Sequence, residues 1–152
     1  GEPAAAEPAP NAAPAEETAP SCPVPPQAQP EAVDISGAWE ARTLGSAVEI
    51  FVAQKGVYIL SVAYVTQQNG KISVYHMSGF LDNGKVHAVH GDGLVFDGRA
   101  LGPDSICGAL AIKNYPIKIE TTATRRAQGR LRDEQADAFF RDMLPKLPDP
   151  PQ

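Results

Sequence analysis

Ile35-Ser36-Gly37-Ala38-Trp39-Glu40 is where a tail rich in proline and alanine gives way to strictly alternating sequence. From Trp39 onward, apolar and polar residues exchange with a period of two, the signature of half-buried β-strands. Trp39, Ala41 and Thr43 share one face while Glu40 and Arg42 take the other. Working outward, eight strands are expected at about 38–44, 47–55, 57–66, 71–81, 85–90, 94–101, 105–113 and 117–125. The segments between them carry turn chemistry: Leu44-Gly45-Ser46, Lys55-Gly56, Gln68-Asn69-Gly70, Asp82-Asn83-Gly84, Gly91-Asp92-Gly93, Gly102-Pro103-Asp104 and Asn114-Tyr115-Pro116. Asn-Gly favours the positive φ angles of tight hairpins, so successive strands should be antiparallel neighbours. An eight-stranded meander hides its edges best by closing on itself.

Parity also brings the two ends of the meander together. On the second strand Val48, Ile50 and Val52 oppose Glu49; on the last, Ile117, Ile119, Thr121 and Ala123 oppose Lys118, Glu120, Thr122 and Thr124, and Arg125 follows on the inward side. Trp39 and Arg125 are therefore expected to meet at one end of the barrel. A guanidinium stacked on an indole is favourable by roughly 0.5 to 2 kcal/mol, and its remaining donors can serve carbonyls of the entering chain.

Gly37, Trp39 and Arg125 are the residues on which the chain resembles the calycins, the group of lipocalins, fatty-acid-binding proteins and avidins. In that resemblance the glycine lets the chain cross beneath the barrel, the tryptophan plugs the closed end, and the last-strand arginine clamps it. The likeness covers about residues 34–145, because lipocalins also carry a helix after the eighth strand. The T-D-Y type motif of the family is replaced by Gly102-Pro103-Asp104, and the single tryptophan argues against avidin-like biotin binding. The resemblance implies an all-β, eight-stranded antiparallel up-and-down barrel with a C-terminal helix packed outside. It implies no specific ligand residues.

The rest of the chain divides into a tether at 1–33, the barrel at 34–127, and a helix with a Pro-rich end at 128–152, the last two forming one domain. Residues 1–33 hold five acids, no base, and Val24 and Val33 as the only larger aliphatics. Such a stretch cannot bury enough apolar surface to offset the entropy of ordering it, and disorder with polyproline character is expected. Its composition resembles the tethers that follow the lipid-bearing cysteine of bacterial envelope lipoproteins; a featureless exported tail is the alternative. No basic start precedes a hydrophobic run, so a targeting segment is expected to lie upstream of Gly1. No stretch of about 18 apolar residues spans a membrane.

Net charge is -5, concentrated in the tail. Residues 34–127 hold nine Lys/Arg against eight Asp/Glu, which excludes the clustered basic face that nucleic acid requires. Arg125, Arg126, Arg130 and Arg132 are the one basic run, read as a solvated junction or a contact for an anionic surface. Cys22 and Cys107 are the candidate disulfide, with no Cys/His spacing of a metal site beside them. Their pairing would imply an oxidising compartment; a buried free Cys107 and an idle Cys22 are the alternative. Localisation is expected to be exported, in a bacterial periplasm or envelope.

A helix is expected after Asp133 as N-cap, with Glu134 and Asp137 in its first turn, where the dipole favours acids. Ala136, Phe139, Phe140, Met143, Leu144 and Leu147 form its apolar stripe, and Pro145 and Pro148 end it. The third and fourth strands are expected to receive that stripe, since Tyr58, Leu60, Val62 and Tyr64 alternate with Val57, Ile59, Ala63 and Val65.

Catalytic constellations are poor, and no enzyme, cofactor or metal is expected. Alternation sets His87 and His90 on opposite faces. A His76 to His90 pair across neighbouring strands, and Asp92 with Asp97 as paired carboxylates, are weak candidates beside ordinary hydrogen-bonded side chains. Ser61, Ser73, Ser78 and Ser105 have no nucleophile-elbow context, and Gly91-Asp92-Gly93 precedes no helix.

Two functions of different class follow. In one, an apolar cavity lined by Val48, Ile50, Leu60, Val62, Val74 and Ile119, with Tyr64 and Tyr75 as polar handles, binds a small hydrophobic molecule. In the other, the barrel is solid and serves as an envelope interaction module or peptidase-inhibitor-like protein. Small bacterial barrels that inhibit secreted peptidases have a similar G-x-W start.

Overall fold

A computed structural model describes Cys22, residues 33–43 and residues 45–149. The tether expected at 1–33 lies outside the described residues, Cys22 and Val33 apart. Eight strands follow in order: β1 Gly37–Thr43, β2 Ser46–Lys55, β3 Tyr58–Thr66, β4 Ile72–Asp82, β5 Lys85–His90, β6 Leu94–Ala100, β7 Ser105–Ile112 and β8 Ile119–Arg125. Each pairs antiparallel with the next, and β8 returns to β1, so the meander closes into a barrel. Of the expected bounds only the last strand moves noticeably, starting at Ile119, where its pairing with Leu110 of β7 begins.

Closure rests on the crossing at Gly37. Its φ is 125°, and a Cβ there would stand 2.9 Å from Arg125 Nη1, so both the backbone angle and the space demand glycine. Trp39, only 1% exposed, donates its indole N–H to the Ile35 carbonyl at 2.9 Å. The Arg125 guanidinium lies 4.6 Å from the indole centroid. Its nitrogens donate to the carbonyls of Ser36 at 2.6 Å, Asp34 at 2.9 Å and Pro103 at 2.9 Å. Gln54 holds the same entering segment, accepting from the Ile35 amide at 2.9 Å and donating to the Val33 carbonyl at 3.2 Å.

Inside the barrel, Trp39 packs with Ile35, Ile59, Met77, Leu81, Val86, Ala88, Ala100 and Ile106. Where β6 and β7 bend, Gly98 faces Gly108. A Cβ on either would fall within 2.4 Å of a backbone oxygen of the opposite strand, and the Phe96 ring lies over both. That ring fills the interior volume two missing side chains leave.

Outside, α1 runs over Glu134–Met143 and tightens into a 3-10 turn at Leu144–Lys146. Asp133 caps it, accepting from the Ala136 amide at 2.9 Å. Ala136 and Phe140 bury against Ala38, Phe51, Leu60 and Val62, and Lys55 Nζ donates to the Leu147 carbonyl at 2.9 Å to close the far end. This placement corrects the inward assignment of Leu60, Val62 and Tyr64: they face out, beneath the helix. Register is the reason. Ile50 points inward and pairs with Ala63, whereas outward Phe51 pairs with Val62 and outward Glu49 with Tyr64. With both faces of β3 apolar, alternation alone could not choose between them; the helix stripe takes the larger side chains. The same shift carries Val74 to the outer wall of β4, where it is 42% exposed, while Tyr75 turns inward. Val48, Ile50 and Ile119 are interior as expected.

Cys22 and Cys107 form a disulfide spanning 85 residues, with Cα atoms 5.2 Å apart. Two outcomes follow. Trp39→Ala should cost about 3 to 5 kcal/mol through the cavity it leaves, read as a shift in the urea midpoint. Reducing the disulfide should lower unfolding stability by about 4 to 5 kcal/mol on the chain-entropy account, measured by paired denaturation curves with and without reductant.

Candidate functional site

Every arginine of the basic run is engaged by the chain's own groups. Arg125 is spent on the clamp just described. Arg126 and Arg130 both bind Glu49 on the outer face of β2. Arg130 also reaches Asp133 at 2.7 Å, and its guanidinium covers the rings of Tyr64 and Phe51 at 5.1 and 5.4 Å. Arg132 meets Asp137 at 2.9 Å. Arg126 Nε is buried without a hydrogen bond, its nearest carboxylate being Glu40 at 3.6 Å. The run is thus a neutralised junction rather than an anion site.

Glu49 and Asp133 are the hubs of that junction; Asp133 stood out in the sequence only as a helix cap, and Glu49 not at all. Only the Arg130 to Asp133 spacing of three signalled a local pair; Glu49 is 77 residues from Arg126 and comes near it only once β8 closes onto β1, the neighbour of β2. The Arg130 hydrogen bond outweighs burial at Glu49 and holds its carboxyl below the ordinary value. Burial pushes Asp133 up, yet the Tyr64 hydroxyl, the Ala136 amide and Arg130 together hold it below the usual range. Burial and the Asp133 hydrogen bond push Tyr64 up to about 12. Tyr64, expected as a ligand handle, is therefore a strut between barrel and helix.

On the opposite wall, His87 Nδ1 meets Asp97 Oδ1 at 2.6 Å, and the His87 ring stacks on Phe80 with centroids 5.3 Å apart. Asp82, Lys85 and Arg99 lie on consecutive strands in register below them. These residues, with Ala109, Glu120 and Cys22, line a concavity of about 640 Å³. A second concavity, about 570 Å³, lies on the outer wall around Arg42, Glu49, Tyr64 and Thr124.

The histidines do not converge. His76 lies against Phe139 on the outside at 4.6 Å between centroids, while His90 Nδ1 bonds the His76 carbonyl at 2.9 Å and its ring meets Tyr75. Asp92 stands 3.6 Å from His90 Nε2 and Asp97 serves His87, so the two carboxylates belong to different histidines. No group of three or more His, Cys, Asp or Glu suited to a metal occurs among the described residues. The expected cavity set is split: Val48, Ile50, Tyr75 and Ile119 line the interior, while Leu60, Val62 and Tyr64 lie under α1 and Val74 on the open wall. No known family model matches the chain, and no curated protein matches it.

The junction has a pH signature. Glu49 and Asp133 titrate lower in the folded state than in the unfolded chain, so their contribution is present at neutral pH. It is lost as pH falls below about 4.5 and 3.8, the ordinary values, toward the depressed ones. Tyr64 is raised, so its contribution is complete below pH 10 and disappears as pH climbs toward about 12. Glu49→Gln should flatten the acid limb of a stability against pH curve, and Tyr64→Phe the alkaline limb. Asp133→Ala should cost about 1 kcal/mol for the helix cap alone.

Proposed function

We propose that this chain is a non-enzymatic, exported barrel of calycin-like build that works by presenting its outer wall to another envelope protein. The observation that carries this is where the volume lies. Two sizeable concavities lie on the outside, and the interior around Trp39 is occupied by Met77, Leu81, Ile106 and the Phe96 ring lying over Gly98 and Gly108. Eight strands can either hold one small ligand or be filled by their own side chains, and these features favour filling.

The wall around Phe80 has the composition of a contact surface. An exposed aromatic backed by the His87 to Asp97 pair sits beside the alternating charges of Asp82, Lys85 and Arg99. An apolar anchor within a polar rim suits a protein partner better than a small hydrophobic molecule. A secreted or periplasmic peptidase is one such partner. The disulfide supports an oxidising compartment, in line with export to a periplasm or envelope by a tether at the amino end.

One feature favours a carrier: Val48, Ile50 and Tyr75 remain half-buried in the interior toward the mouth. Native mass spectrometry of protein purified from its source distinguishes the two. A clean protein mass with a co-purifying polypeptide, lost in Phe80→Asp, is expected; a recurrent small added mass that survives Phe80→Asp would replace the interaction reading by the carrier one.

A further inference from the structure

The barrel has two unlike ends. The closed end carries Trp39, Arg125 and the connections at 56–57, 83–84 and 101–104, none of which holds an exposed large apolar residue. Three of the four connections at the mouth, 67–71, 91–93 and 113–118, are different in both charge and exposure. They hold Lys71, Lys113 and Lys118 against the single acid Asp92 in a chain of net charge -5. Next to each lysine in sequence stands an exposed isoleucine: Ile72 at 57%, Ile112 at 40% and Ile117 at 61%.

The β7 to β8 hairpin concentrates this pattern. Residues 112–118 are exposed without a break, and Tyr115 at their centre is 47% exposed. The tip is nevertheless held: Asn114 takes a φ of 65°, the Tyr115 amide donates to the Ile112 carbonyl at 2.9 Å, and the Lys113 amide donates to Gly93 at 3.1 Å. Water is an unfavourable neighbour for two isoleucines and a tyrosine presented together on a fixed turn. Lysines directly beside them suit an interface at which apolar tips enter an acyl layer and ammonium groups stay among anionic headgroups.

We infer that the mouth end of the barrel, led by Ile112, Tyr115 and Ile117 with Lys71, Lys113 and Lys118, docks on an anionic lipid surface. Tyrosine favours such a boundary because its ring is apolar and its hydroxyl stays wet. Individually the contacts are weak. An attachment of this kind orients a protein already held near a membrane by a tether, leaving the Phe80 wall turned to the side. The inference stands on the mouth alone and holds whether the wall binds a protein or not.

Sedimentation with vesicles tests it, using the full oxidised chain. Vesicles of phosphatidylglycerol mixed with phosphatidylcholine should retain the protein at low salt, and pure phosphatidylcholine should retain far less. Raising salt should release it, since the attraction is screened. Lys113→Glu and Lys118→Glu should each weaken retention by about fivefold or more, and Ile117→Ser should weaken it too. All three positions are exposed, so the fold should survive, which a circular dichroism melt checks. In Tyr115→Trp, emission should shift to the blue on the anionic vesicles alone. Equal retention on both vesicle types, or variants that bind as the parent does, would overturn the inference and leave the hairpin to a protein contact.

Discussion

One guanidinium ties together the seam at which this barrel closes. The seam between β1 and β8 has only three register pairs, Trp39 with Arg125, Glu40 with Thr124 and Ala41 with Ala123, against nine between β2 and β3. A seam so short is the weakest part of the ladder, and Arg125 compensates for it. It stacks on the indole from one strand while donating to three carbonyls of the chain that enters beneath. Gly37 is the complement of that arrangement, because its φ of 125° disfavours a side chain and a Cβ there would crowd Nη1 at 2.9 Å. Stopper, clamp and crossing are one device, and the buried bond within it is the one from the Trp39 indole to the Ile35 carbonyl.

The second lock is ionic and lies on the outside. Glu49, Arg126, Arg130, Asp133 and Tyr64 connect β2, β3, the segment after β8 and the first turn of α1. Each charge is matched within the group, and Asp133 caps the helix while accepting from Tyr64 and Arg130. The helix is thereby held at both ends, by Asp133 at the start and by Lys55 on the Leu144 and Leu147 carbonyls at the finish. With one flank covered by α1 and the closed end sealed by Arg125, the Phe80 wall and the mouth remain open to solvent. They differ in chemistry, the first being mixed in charge around one aromatic and the second apolar and basic.

Much of the barrel was legible because its signals are local. A period of two, Asn-Gly and Gly-Pro turns, and the Asp133 cap each depend on residues a few positions apart, and the observed elements fall where those signals put them. The lining of the barrel was legible on β1, β2 and β8, where Glu40 and Arg42, Glu49, and Glu120 with Thr122 and Thr124 mark the outer face. On β3 that guide fails. Ile59, Ala63 and Val65 alternate with Leu60, Val62 and Tyr64, and both sets are apolar, so Leu60, Val62 and Tyr64 were read as lining. Val74 was read inward with them and lies on the open wall of β4.

What the linear chain by itself determined was the number of strands, their order, the meander, the stopper and its clamp, and the helix with its cap. All follow from periodicity, turn residues and parity, which are properties of neighbours in sequence. Only the tertiary structure decided which face of β3 meets the helix, that Glu49 binds two arginines from beyond β8, and that Phe96 lies over Gly98 and Gly108. Those outcomes depend on cross-strand register and on which side chains compete for the same space, and neither exists until the sheet has closed.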